Sequence, residues 1–151
     1  CVYLIIVTGV AEGVGLLCIA SLWWPHLRPL AFLLAALVAG RYVLWRAYLD
    51  DLRTVGAPTG AMNAFAAIAQ RFVWIGHIAP VGLALAAAFG APLVLAALAG
   101  ALTVAAGAWF KYVLVCEAAF TQGFSLPRTP RRGAGVTTPG VQPGWEQPQG
   151  R

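Results

Sequence analysis

Four apolar runs decide most of what this chain can become: Val2 to Trp24, Leu30 to Leu49, Phe72 to Phe89 and Pro92 to Val115. Each holds about 18 to 24 residues, close to the ~20 that a helix rising 1.5 Å per residue needs to cross ~30 Å of hydrocarbon. Hydrophobic residues make up 60% of the chain and charged residues 10%, with a mean hydropathy of +0.78. That leaves too few polar groups to clothe a soluble globule. The expected fold is an all-α integral membrane protein. Four antiparallel transmembrane helices form one bundle over residues 1–120, and an extended Pro/Gly/Arg-rich tail occupies 121–151.

The first run does not read as a secretory signal. Its apolar stretch is too long, it lacks a basic start, and no small-residue cleavage site follows. The chain opens on Cys1 with hydrophobic structure at once, so the expectation is a processed start or a piece of a longer membrane protein. A lipid-anchored Cys1 is disfavoured, because such a cysteine normally leads into a polar tether. Cys18 and Cys116 lie in apolar stretches without metal-ligand spacing and are read as buried small hydrophobes, with no zinc or iron–sulfur site encoded.

Charge is distributed unevenly. The connections Pro25-His26-Leu27-Arg28-Pro29 and Phe89-Gly90-Ala91-Pro92 fall on one side, which carries only Arg28. The opposite side collects Arg46, Arg53, Arg71, Lys111, Arg128, Arg131 and Arg132. By the positive-inside rule that side, with both termini, faces the cytoplasm. The chain is thus expected to be multi-pass, with a cytoplasmic tail. Trp23 and Trp24 sit where interfacial aromatics belong. A sizeable loop is expected from Asp50 to about Asn63, with Gly56, Pro58 and Gly60 in it and an Arg46–Asp50 pair one turn apart beside it.

Polar residues inside the apolar runs are the candidate functional groups, because a charge at bilayer depth costs several kcal/mol unless paired or hydrated. Counting from the turns places Glu12 and Arg41 both ~18 Å deep, and His77 at nearly the same level. Glu12 and Arg41 are expected to meet as a pair on neighbouring helices. On the third helix Gln70, Trp74, His77 and Val81 follow i, i+4, i+7, i+11 spacing on one face. That wall of an amide, an aromatic and a titratable imidazole suits a redox lipid such as a quinone. The ring wants an apolar or aromatic slot, its carbonyls want donors, and its two-proton chemistry wants relay groups. The alternative is a structural Glu–Arg pair with a histidine bonded to backbone. Haem is disfavoured, since the other histidine, His26, lies in a turn.

Ala99, Thr103 and Gly107 recur every four residues on the last helix, a spacing of small residues that lets helices approach closely in lipid. Lys111 continues the series, either facing the bundle or snorkelling to headgroups. The tail has no periodicity that builds a core, yet it carries Trp145. It is expected to lie along the cytoplasmic face of the bundle and pack Trp145 against a groove there or on a partner, the alternative being a flexible solvated end.

The stretch Trp109 to Gly133 (W-F-K-Y-V-L-V-C-E-A-A-F-T-Q-G-F-S-L-P-R-T-P-R-R-G) and the later Gly140-Val141-Gln142-Pro143-Gly144-Trp145 resemble the C-terminal end of a known superfamily. It is the polysulfide-reductase (NrfD)/dimethyl-sulfoxide-reductase anchor (DmsC) group, particularly subunits associated with phenylacetyl-CoA:acceptor oxidoreductases. Lys111, Tyr112, Gln122, Gly123, Pro127, Pro130, Arg132 and Gly133 fall on its pattern, whereas Glu117 departs from it. The resemblance covers roughly the C-terminal half of such subunits. It implies a non-catalytic anchor in a bacterial inner membrane, without metal or haem of its own, that binds an iron–sulfur electron-transfer subunit and a molybdopterin catalytic subunit and exchanges electrons with quinone. The residues expected to contact quinone are Glu12, Arg41, Gln70, Trp74, His77 and Lys111. The competing reading is a non-redox four-helix membrane module, transporter-like or structural. Membrane lipid is an expected partner in either case, and nucleic acid is not.

Overall fold

The computed structural model describes residues 2–57, 59–118, 141–142 and 145–146. Helix α1 covers Val2–Ala20, and a short 3-10 turn at Pro25–Leu27 leads to α2 at Leu30–Val55. Helix α3 (Thr59–Val73) passes through a wide π turn at Trp74–Ile78 into α4 (Ala79–Ala88). Helix α5 (Leu93–Tyr112) ends in a second π segment, Val113–Ala118. Four helical stretches are therefore long and apolar enough to cross a membrane: Val2–Ala20, Leu30–Val55, Gly60–Ala88 and Leu93–Ala118. Farther on, Val141–Gln142 pairs antiparallel with Trp145–Glu146. The expected docking of the tail concerns residues that otherwise lie outside those described.

The second connection is shorter than its composition suggests. In place of a loop from Asp50 to Asn63, α2 continues to Val55 and α3 begins at Thr59. The polar residues here extend the helix. Arg53 pairs with Asp50 at 3.1 Å, and the Thr54 hydroxyl donates to the Asp51 carbonyl at 2.8 Å. Asp50 thus takes Arg53, not Arg46, as its partner. Gly56 then stops the helix in the left-handed region at φ 73°. Its N–H reaches the Arg53 carbonyl and that of Ala57 reaches Leu52, the double bond of a Schellman ending. Gly90 (φ 109°) ends α4 in the same way, with Gly90 N–H bonded to Ala87 and Ala91 N–H to Ala86.

Neighbouring spans pack around a ring: α1 on α2, α2 on α4, α4 on α5, and α5 back on α1. Two apolar clusters fill the interior. One is built of small side chains, including Val14, Cys18, Ala31, Val38, Ala84 and Ala99. The other is aromatic, with Trp45, Phe65, Phe72 and Phe110 at its centre. Along each span a polar group falls between the two: Thr8 and Glu12 on α1, Arg41 on α2, His77 on the third span and Thr103 on α5. Outward-facing side chains such as Ile6, Leu16, Val43 and Val94 are apolar and exposed, as a lipid-facing surface requires. Trp23 and Trp24 are exposed at the end of α1. Cys18 is buried as expected, whereas Cys116 is exposed because the π segment turns it outward.

The tightest helix contact is glycine on glycine. A Cβ added to Gly100 would overlap the Gly15 carbonyl, and one added to Gly15 would stand 3.0 Å from the Gly100 carbonyl. No side chain separates α1 from α5 at this point. Gly100→Ala should therefore push the two helices apart and cost roughly 1–3 kcal/mol of stability. Gly40→Ala, where an added Cβ meets nothing within 4 Å, should be neutral or stabilising by up to about 1 kcal/mol. Unfolding titrations in mixed micelles read both. Equal stability of the Gly100 variant and the parent would refute the contact.

Candidate functional site

Pro80 organises the polar layer. Proline has no N–H, and its ring crowds the carbonyl four residues back. That carbonyl belongs to Gly76. The helix relieves the crowding with the wide turn, in which the Ala79 N–H reaches Trp74. Gly76 O is thereby released from the helical ladder, and the Arg41 guanidinium donates to it through Nη2. Nη1 reaches the Thr103 carbonyl at 3.5 Å, and Cζ stands 5.7 Å from the centre of the Phe72 ring. Arg41 is fully buried. Its cation is held by carbonyl dipoles and an aromatic face, with no carboxylate in ion-pair range among the described residues.

His77 is fixed next to it. Nδ1 lies 2.9 Å from the Phe72 carbonyl. A carbonyl only accepts, so Nδ1 carries the proton and, in neutral imidazole, Nε2 is an acceptor. Aromatic rings enclose the imidazole on three sides. Phe72 meets it edge-on at 4.7 Å, Tyr42 at 5.4 Å, and Trp45 stacks at 6.1 Å. Nε2 is buried without a hydrogen-bond partner among the described residues.

The expected Glu12–Arg41 pair is replaced by another. Glu12 Oε2 accepts from Lys111 Nζ at 2.6 Å. The glycine contact brings α1 against α5, and the missing side chain at Gly107 leaves the space that the Glu12 carboxylate fills. Helical side chains lean toward their own N-terminus, so Lys111 reaches back one turn to the level of Gly107. Of the two readings for Lys111, the inward one holds. The other carboxylate oxygen, Oε1, is buried and has no partner among the described residues.

The Gln70–Trp74–His77–Val81 stripe does not stay on one face. The wide turn contains one residue more than an α-helical turn, so residues beyond it swing away from those before it. Gln70 and Trp74 are exposed, whereas His77 is 3% exposed. The stripe is divided between two clefts. His77 and Val81 line one of about 460 Å³, with Ala39, Tyr42, Ile78 and Gly82. Gln70 and Trp74 line another of about 360 Å³, with Tyr42, Trp45, Arg46 and Arg53. Tyr42 and Val73 border both. Of the expected quinone-contacting residues, His77 alone lines the first cleft. Arg41 stands behind it in the core, and Glu12 and Lys111 form a separate pair.

No family model, curated protein or solved structure matches the chain. Its site is therefore read from its own chemistry. Sequence reasoning missed Tyr42, Trp45, Phe72 and the Gly76 carbonyl, although Gly76 and Pro80 at i and i+4 were a usable sign of a freed acceptor.

Losing one member of the Glu12–Lys111 pair strands the other in an apolar setting. Lys111→Met should destabilise by roughly 1–3 kcal/mol, between the values for exposed and buried pairs. Adding Glu12→Gln to it should restore most of that loss. A double variant no more stable than Lys111→Met would mean that the two side chains act independently.

Proposed function

We propose that this chain is a multi-pass membrane anchor and quinone-interacting electron-transfer subunit of a molybdopterin/iron–sulfur oxidoreductase complex. The resemblance in Trp109 to Gly133 suggests the family, and the observation that carries the site is His77. It is a buried imidazole with its proton committed to the Phe72 carbonyl and Nε2 unpartnered, beside a mainly apolar cleft of about 460 Å³. A quinone ring fits such a slot. Nε2 accepts from a quinol hydroxyl and takes up its proton, or, once protonated, donates to a quinone carbonyl. Quinol oxidation releases two protons and two electrons: Nε2 takes one proton, water at the cleft mouth would take the other, and the electrons would pass to the iron–sulfur partner, with substrate chemistry on the molybdopterin subunit. Arg41 acts as a positioning group through Gly76, next in sequence to His77.

The four spans alternate in direction in this reading, with both ends of the chain on the cytoplasmic side of a bacterial inner membrane. Short turns at Pro25–Leu27 and Gly90 support the alternation. So does the opposed order of contacts on α1 and α5, where Gly15 meets Gly100 and Glu12 meets Lys111. The bias of arginines away from the Arg28 side supports the orientation. The competing reading, a non-redox bundle whose polar residues are packing glue, draws on Arg41, which is held by backbone carbonyls.

One variant separates the readings. His77→Leu should keep the helices inserted and lower affinity for a quinone analogue about tenfold, the value of one hydrogen bond to a buried partner. Binding is read by fluorescence quenching in reconstituted vesicles. Unchanged analogue affinity with reduced thermal stability would favour the structural reading. Impermeant thiol labels test orientation: cysteine at Arg28 should react from outside intact cells, and cysteine at Arg53 should not.

A further inference from the structure

The second cleft has a chemistry of its own. Its polar lining consists of Arg46, Arg53, Trp45, Trp74, Gln70 and Tyr42. Two guanidiniums and two indole N–H groups can only donate, and no carboxylate is among the described residues that line the cleft. Asp50, which is not among the lining residues, pairs with Arg53 through Nη1 at 3.1 Å. Trp45 is 2% exposed, and its indole N–H is buried without an acceptor among the described residues. The missing component is an acceptor-rich anion.

Position restricts the source of that anion. Arg46 stands about 24 Å along α2 from Leu30, and Gln70 about 27 Å along the third span from Ala88. Both lie near the far edge of a ~30 Å hydrocarbon layer. Arg53, about 35 Å along α2 from Leu30, passes that edge to the level of lipid phosphates, and Trp74 sits just inside it as interfacial tryptophans do. Basic clefts between spanning helices at this depth bind acidic headgroups. Arg53 shares its charge with Asp50, whereas Arg46 has no ion pair among the described residues, so the cleft keeps a net positive charge that favours a lipid with no compensating cation over a zwitterionic one.

We propose that the cleft between α2 and α3 binds the phosphodiester of an anionic membrane phospholipid, held by Arg46 and Arg53 and by the Trp45 indole N–H.

The full chain, reconstituted into phosphatidylcholine nanodiscs with a small fraction of phosphatidylglycerol, tests this by native mass spectrometry of the retained lipid. The parent should retain phosphatidylglycerol well above its bulk fraction. Arg46→Gln with Arg53→Gln should weaken retention about thirtyfold. Arg28→Gln, on the other side, should leave it unchanged. Gln70→Trp fills the cleft while keeping both arginines and should also expel the lipid, which covers the case of a double variant that fails to fold. Retention at the bulk ratio by the parent, or equal retention by the parent and Gln70→Trp, would overturn the proposal. Displacement of the lipid by millimolar inorganic phosphate would overturn it too, by assigning the cleft to a free anion.

Discussion

At hydrocarbon depth no water takes up an unused hydrogen bond, so a carbonyl released from its helix must find a donor within the protein. Pro80 creates that situation at Gly76, and Arg41 resolves it. The two irregularities sustain each other. A guanidinium in the core would be untenable without carbonyls turned toward it, and the exposed carbonyl dipole would be unmet without the guanidinium. The placement of His77 follows from the same turn, because its ring bonds back to Phe72, the residue whose face Arg41 covers.

The Glu12–Lys111 pair has a different origin. It derives from glycine, which allows α1 and α5 to touch through backbone at Gly15 and Gly100 and then leaves room at Gly107 for a carboxylate. Two ionic groups in one layer thus solve the same solvation problem by unlike means. One has a counter-ion, and the other has dipoles and an aromatic ring. This division explains why the carboxylate and the guanidinium do not pair although counting puts them at one depth.

Much of the fold was legible in the sequence because it rests on run length and turn chemistry. The four spans and the two proline- or glycine-marked turns follow from counting, as does the closeness of Arg41 and His77, which meet around Gly76 and Phe72. Azimuth was the harder quantity. Depth accumulates evenly at 1.5 Å per residue, whereas a single wide turn redirects every side chain beyond it. The Gln70 to Val81 stripe failed for that reason. The Asp50–Asn63 loop failed for another, since Asp50, Arg53 and Thr54 are polar residues that support one another on a helix projecting beyond the apolar layer.

The wide turn at Trp74–Ile78 is equivalent to one residue inserted into an otherwise regular helix. Such an insertion decouples the two halves of the span, so that each addresses its neighbours with its own angular setting. The same pair of helices can then carry a donor-rich surface at one level and an apolar one, with a single imidazole, at the next. Excising one residue from the turn would bring the halves back into step and merge the two surfaces. In this bundle a local change of length thus acts as a change of chemistry.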